Sequence, residues 1–174
     1  MSQTSLAQNS SAQTDAMTEA EVDRLAQLSV DILEGRTDLA AIAGMTGDEL
    51  EAVYTLAHGF YTSGKYDDAQ DVFRFLCMHR HLDPRFWFGF GATCHMQGDV
   101  ALAVKAYGMA AMLDPTDPQV SLRAAECFVA LGDTKGARIA LEGAIMAAGA
   151  KSAHAGHAER ARMILSTLPA ETAA

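Results

Sequence analysis

Positive charge, proline, cysteine and uninterrupted apolar stretches are all scarce in this 174-residue sequence. Thirteen Lys and Arg stand against 22 Asp and Glu, for a net charge of −9. No basic stripe is available to displace counterions from a phosphate backbone, so nucleic acid is not an expected partner. No run reaches the roughly 18 apolar residues a membrane span requires, and the N-terminus has no basic patch followed by an apolar core. The expectation is a cytoplasmic protein with no membrane partner. β-Branched runs are missing too, and with only four prolines and 49% apolar residues the composition is that of a compact helical protein.

Chemistry-bearing motifs are equally sparse. Cys77, Cys94 and Cys127 are odd in number and lack metal-type spacing, so they read as small buried apolar residues and not as a disulfide framework or a metal site. His154 and His157 are three apart with no third ligand near them and read as surface histidines; His79 and His81 sit at an element junction, and His95 at a helix end. No serine or cysteine lies in a nucleophile signature, and no glycine-rich phosphate loop follows a strand. The reading is a protein with no catalytic residue, no metal and no cofactor.

A self-similarity with a period of 34 residues is present instead. Gly64, Gly98 and Gly132 are spaced by it, as are Ala69, Ala103 and Ala137, the small set Ala57, Gly91 and Ala125, the set Phe60, Cys94 and Phe128, and the bulky set Phe73, Tyr107 and Leu141. Small, small and large residues in these offsets are the sign of the tetratricopeptide repeat, a pair of antiparallel helices stacked on its neighbours. The small residues let paired helices approach closely, the bulky ones fill the space beside them, and the glycine reverses the chain where the first helix ends. Asp83-Pro84 and Asp117-Pro118 open the second and third repeats as an N-cap and a first-position proline, while Thr46 and Glu49 form a capping box for the first. Gly89 and Gly91 are helix-packing glycines, and Trp87 stands where the repeat pattern places a tryptophan.

The expected fold is an all-α tetratricopeptide-repeat solenoid of three helix pairs with an N-terminal helix and a C-terminal capping helix. Residues 1–17, rich in Ser, Gln, Thr and Asn, read as a disordered tail; 18–45 as an N-terminal helical segment; 46–149 as the three repeats; 150–174 as the capping helix and tail. Thr18 and Glu21 make another capping box ahead of an apolar face formed by Leu25, Leu28 and Ile32, which either covers the first repeat or serves as a dimer surface. A closing proline expected at position 81 is absent, so the second helix of repeat one is expected to run longer or to end in an extra turn.

Residues at the second, fifth, ninth and twelfth positions of each repeat share the inner face of its first helix. Counted from Leu50, Pro84 and Pro118, these are Glu51, Tyr54, His58 and Tyr61, then Arg85, Phe88, Ala92 and His95, then Gln119, Leu122, Glu126 and Val129. Of these, Tyr54, His58, Tyr61, Arg85, Phe88, His95, Leu122 and Glu126 are the candidate peptide-binding residues, an aromatic and apolar face suited to an extended peptide with hydrophobic anchors. The Lys, Arg and Asn needed to clamp the acidic tail of a heat-shock chaperone are missing.

Three stretches resemble a known family, the tetratricopeptide chaperones of type III secretion translocators. They are Tyr54-x-x-Ala57 with Tyr61-x-x-Gly64-Lys65-Tyr66-Asp67-Asp68-Ala69, then Pro84-Arg85-Phe86-Trp87-Phe88-Gly89-Phe90-Gly91-Ala92, then Arg123-Ala124-Ala125-Glu126-Cys127. The resemblance implies a bacterial cytoplasmic chaperone that binds an extended N-terminal segment of hydrophobic, pore-forming translocator proteins and keeps them export-competent, with no nucleotide and no metal. It also implies a homodimer through the N-terminal helix in many members and, in some, co-activation of transcription with a transcriptional regulator. The alternative from another class is a repeat scaffold joining soluble proteins of an assembly.

Overall fold

The computed structural model describes residues 18–149 and 152–169. The tail expected over residues 1–17 lies outside these, as does the last stretch, 170–174. The chain divides into two compact units, one ending at Thr37 and the other beginning at Asp38. Residues 18–45, expected as the N-terminal helical segment, fall on both sides of this boundary, with 38–45 in the unit that carries the repeats.

The first unit contains helix α1, Glu19–Leu33. Its capping box is made: the Glu21 carboxylate accepts the Thr18 N–H at 2.7 Å, and the Thr18 hydroxyl accepts the Glu21 N–H at 3.3 Å. No residue of α1 is buried, and Val22 and Leu25 are half exposed.

The second unit opens with the single turn α2, Leu39–Ile42. Three hairpins follow: α3, Gly47–Thr62, with α4, Tyr66–His79; α5, Pro84–Met96, with α6, Val100–Leu113; α7, Pro118–Ala130, with α8, Thr134–Ala148. A 3-10 turn, Ser152–His154, leads into α9, Ala155–Thr167. All the described secondary structure is helical. Each hairpin turns at its glycine, Gly64, Gly98 or Gly132, with φ of 74°, 83° and 73°. There the glycine N–H bonds back three residues and the next N–H bonds back five, closing the carbonyls the helix end leaves unpaired. Asp83 and Asp117 cap α5 and α7 ahead of their first-position prolines, and Thr46 with Glu49 caps α3 reciprocally.

Between paired helices the small residues Ala57, Ala69, Ala103, Ala125 and Ala137 are wholly buried, and Phe73, Tyr107 and Leu141 are at most 2% exposed. Complementarity is tight enough to require glycine at two positions of α5. A Cβ on Gly89 would lie 2.2 Å from the Phe73 ring, and one on Gly91 would lie 2.9 Å from the Tyr107 ring.

The junction before Pro84 corrects an expectation. α4 ends at His79 and α5 begins at Pro84, the same interval as between Leu113 and Pro118. Arg80 and Asp114 adopt nearly the same backbone, φ −133° and −134°. The helix is no longer than its counterpart, and the turn at residues 81–82, closed by the Asp83 N–H on the Arg80 carbonyl at 3.3 Å, matches the turn at 115–116. Where repeat two has Pro115, repeat one holds the bend with side chains: the Trp87 indole N–H donates to the His81 carbonyl at 2.7 Å, and Arg80 Nε donates to Asp38 at 3.0 Å, tying α2 to α4. Burial pulls the Asp38 carboxyl upward, but the Ala41 N–H and the Arg80 guanidinium outweigh it and hold that group below the usual carboxylate range.

Candidate peptide-binding groove

The first helices of the three hairpins, α3, α5 and α7, carry the expected inner-face positions. Two ion pairs between residues one repeat apart show how adjacent first helices face each other. Arg85 donates to both oxygens of Glu51, at 2.6 and 3.3 Å, and Arg160 of α9 donates through Nη2 to Glu126 at 2.6 Å. The side-chain hydrogen bonds to Asp83 and to Glu51 push the Arg85 guanidinium further above its ordinary value, so its charge is fixed.

The aromatic candidates are partly buried, each braced by a ring. Tyr54 lies edge-on to Phe73 at 6.0 Å and 5.7 Å from Phe86, with the Arg85 guanidinium 5.2 Å above its ring. Tyr61 packs edge-on to Tyr66 at 5.7 Å, and Phe88 lies 5.6 Å from Tyr107. His58 is exposed and His95 partly so. Arg85 and Glu126, two of the candidate peptide-binding residues, already have partners: Asp83 and Glu51 for the first, Arg123 at 3.0 Å and Arg160 for the second.

Leu122 differs from its expected place on an open face. It is 4% exposed and packs with Ala125, Leu141, Ala144 and Ala161, because α9 closes over this end of α7. It forms the floor of a hollow of about 330 Å³ between α7 and α9, lined also by Gln119, Arg123, Glu126, Gly156 and Arg160. Tyr107 was not among the candidates, yet it belongs to the same surroundings. Burial pushes its phenol up, and its ring packs against two residues of α5, lying 5.6 Å from Phe88 and against Gly91. Its place in the bulky 34-residue set marked it as core and concealed that role.

The cysteines are buried and free, and burial pushes Cys77 up to about 12 and Cys127 to about 11. Among the described residues no three His, Cys, Asp or Glu side chains could hold a metal ion, and no helix is long and apolar enough to cross a membrane. The His154 and His157 rings stand 6.2 Å apart.

Two tetratricopeptide-repeat family models match the chain, over residues 54–118 and 95–155. The crystal structure of SycD from Yersinia enterocolitica in complex with a peptide of the translocator YopD is 34% identical, with a TM-score of 0.68, over 71% of this chain and 94% of that one. The chain belongs to the tetratricopeptide-repeat chaperones of type III secretion translocators. PcrH, a Pseudomonas aeruginosa protein solved with the chaperone binding region of PopD, is 38% identical with a TM-score of 0.70, over 72% of this chain and 94% of that one. The low calcium response locus protein H of Yersinia pestis is 39% identical over 58% of this chain, and the match spans 60% of that relative's length. SycD has also been solved as an alternative dimer.

Proposed function

We propose that this protein is a non-enzymatic export chaperone of the bacterial cytoplasm. Its inner face holds an extended segment of a hydrophobic translocator, so that the client stays unassembled until secretion. The observation that carries this reading is the set of braced, partly exposed aromatics, Tyr54, Tyr61 and Phe88, on the inner positions of consecutive repeats, in a chain whose relatives PcrH and SycD hold translocator segments. Rings held by other rings lose little freedom when an anchor docks on them, which favours binding. Each fully buried anchor contributes about 1.5–3 kcal/mol, so three support micromolar binding or better after ordering costs. Self-association through Leu25, Leu28 and Ile32 of α1 belongs to the same reading.

Calorimetry with a synthetic peptide of the PopD chaperone binding region tests it. Tyr61→Ala and Phe88→Ala are each expected to weaken binding at least tenfold, about 1.4 kcal/mol, with the helical spectrum retained. Glu159→Ala, exposed on α9, is the control and should bind as wild type. Folded groove variants that bind with wild-type affinity would place the client elsewhere on the molecule.

A further inference from the structure

Helix α9 does more than close the solenoid. Its residues continue the 34-residue register: with position one at Ser152, the inner-face positions two, five, nine and twelve fall on Ala153, Gly156, Arg160 and Met163. The Arg160–Glu126 contact joins the ninth positions of successive repeats, so α9 stands to α7 as a further first helix. The same register sets α9 apart from the earlier first helices: position eight, small in the three repeats, is Glu159, and position eleven, apolar in the three repeats, is Arg162.

At the inner-face positions the change runs the other way. Position five is Tyr54, Phe88 and Leu122 in the repeats but Gly156 in α9, and position two falls from Glu51, Arg85 and Gln119 to Ala153. A Cβ on Gly156 would meet nothing within 4 Å. The bulk removed at these two positions opens the hollow of about 330 Å³, floored by Leu122 and rimmed by Arg123, Arg160 and Glu126. Arg123 is 45% exposed, Arg160 60% and Glu126 16%, so two guanidiniums with free edges share one carboxylate and the rim keeps a surplus positive charge.

We propose that α9 is a fourth groove helix and that its hollow with α7 is a subsite for one large apolar side chain of the bound segment, with an acidic residue of that segment on the Arg123–Arg160 rim. Apolar floor and positive rim match those two neighbouring groups, and the hollow continues the inner face along which the segment lies. This rests on the chaperone reading above, and it makes the end of the groove a determinant of which segments are accepted.

The test is a set of double-mutant cycles in the full chain, using the PopD chaperone binding peptide and variants in which each bulky apolar residue is changed to alanine and each acidic residue to its amide. Gly156→Phe fills the hollow and should weaken binding at least tenfold. Its melting temperature should hold, since the added side chain meets open space and a helical glycine is replaced. Glu142→Phe, which adds the same bulk on the exposed side of α8, should leave affinity unchanged. One apolar truncation in the peptide should lose its effect in Gly156→Phe, and one amide change should lose its effect in Arg160→Gln. If Gly156→Phe binds as wild type while Phe88→Ala is weakened, or if every cycle is additive, the subsite is wrong and the chaperone reading stands. If the wild-type chain binds none of the peptides, that reading falls and the subsite with it.

Discussion

Replacing Gly89 by alanine sets two opposed effects against each other at one buried atom. Gly89 lies inside α5, where an alanine would ordinarily gain about 0.5–1 kcal/mol by restricting the unfolded chain. Its Cβ would fall 2.2, 2.4 and 2.7 Å from three carbons of the Phe73 ring. Phe73 is 2% exposed and is held edge-on by Tyr54, so the ring cannot swing away, and α4 and α5 must separate to admit the methyl group. Overpacking of this kind costs about 1–3 kcal/mol, so a net loss of about 1–2 kcal/mol is expected, or about 2–8 °C in Tm for a domain of this size. Gly59 and Gly108 are also helical, but a Cβ at either meets nothing within 4 Å. Their alanine variants carry only the favourable effect and should melt at or above wild type. Thermal and urea unfolding followed by circular dichroism reads all three. A Gly89→Ala protein as stable as Gly108→Ala would mean that α4 and α5 do not meet as closely as described.

Further outcomes follow from other sites. Gly98→Val places a β-branched residue at φ 83° and should lose about 2 kcal/mol in urea unfolding, whereas an unchanged midpoint would contradict the hairpin turn. Asp38 has a carboxyl held below its ordinary value in the folded chain, so its contribution to stability is present above about pH 4 and lost as pH falls through the lowered folded value. Asp38→Asn should therefore lower Tm at neutral pH and approach wild type near pH 2, and a deficit that persists in acid would assign the loss to packing. Leu28→Glu in α1 should give a folded monomer if that helix mediates self-association, and sedimentation showing equal mass for folded wild type and variant would remove the dimer.

Much of the architecture was readable because a 34-residue period repeats both the chemistry and the geometry. The glycine turns, the caps at Thr46, Asp83 and Asp117, and the burial of Ala57, Ala69, Ala103, Ala125 and Ala137 all follow from local backbone preference and side-chain size, which each repeat specifies for itself. The junction at residues 80–83 was misread for a related reason. A missing proline was taken as a change of length, when Trp87 and Arg80 supply by hydrogen bonding the constraint that Pro115 supplies covalently in the next repeat.

By itself, the sequence determined the helix pairs, their order and the family to which the chain belongs, since these depend on periodicity and on residues close together in the chain. Only the tertiary structure decided what each residue of the expected inner face is free to do. Glu51 with Arg85, and Glu126 with Arg160, are opposite charges one period apart, a signal that could have been read as ion pairs, but only the approach of neighbouring first helices to within hydrogen-bond distance makes them so. Leu122 has the same position in its repeat as Tyr54 and Phe88, yet it is buried because α9 lies over it, a contact between helices that the period alone does not fix. The same packing turns Gly156, an unremarked glycine in a terminal helix, into the opening of a hollow. Burial and partnership are properties of the neighbour as much as of the residue, and the neighbour is set by how the repeats stack.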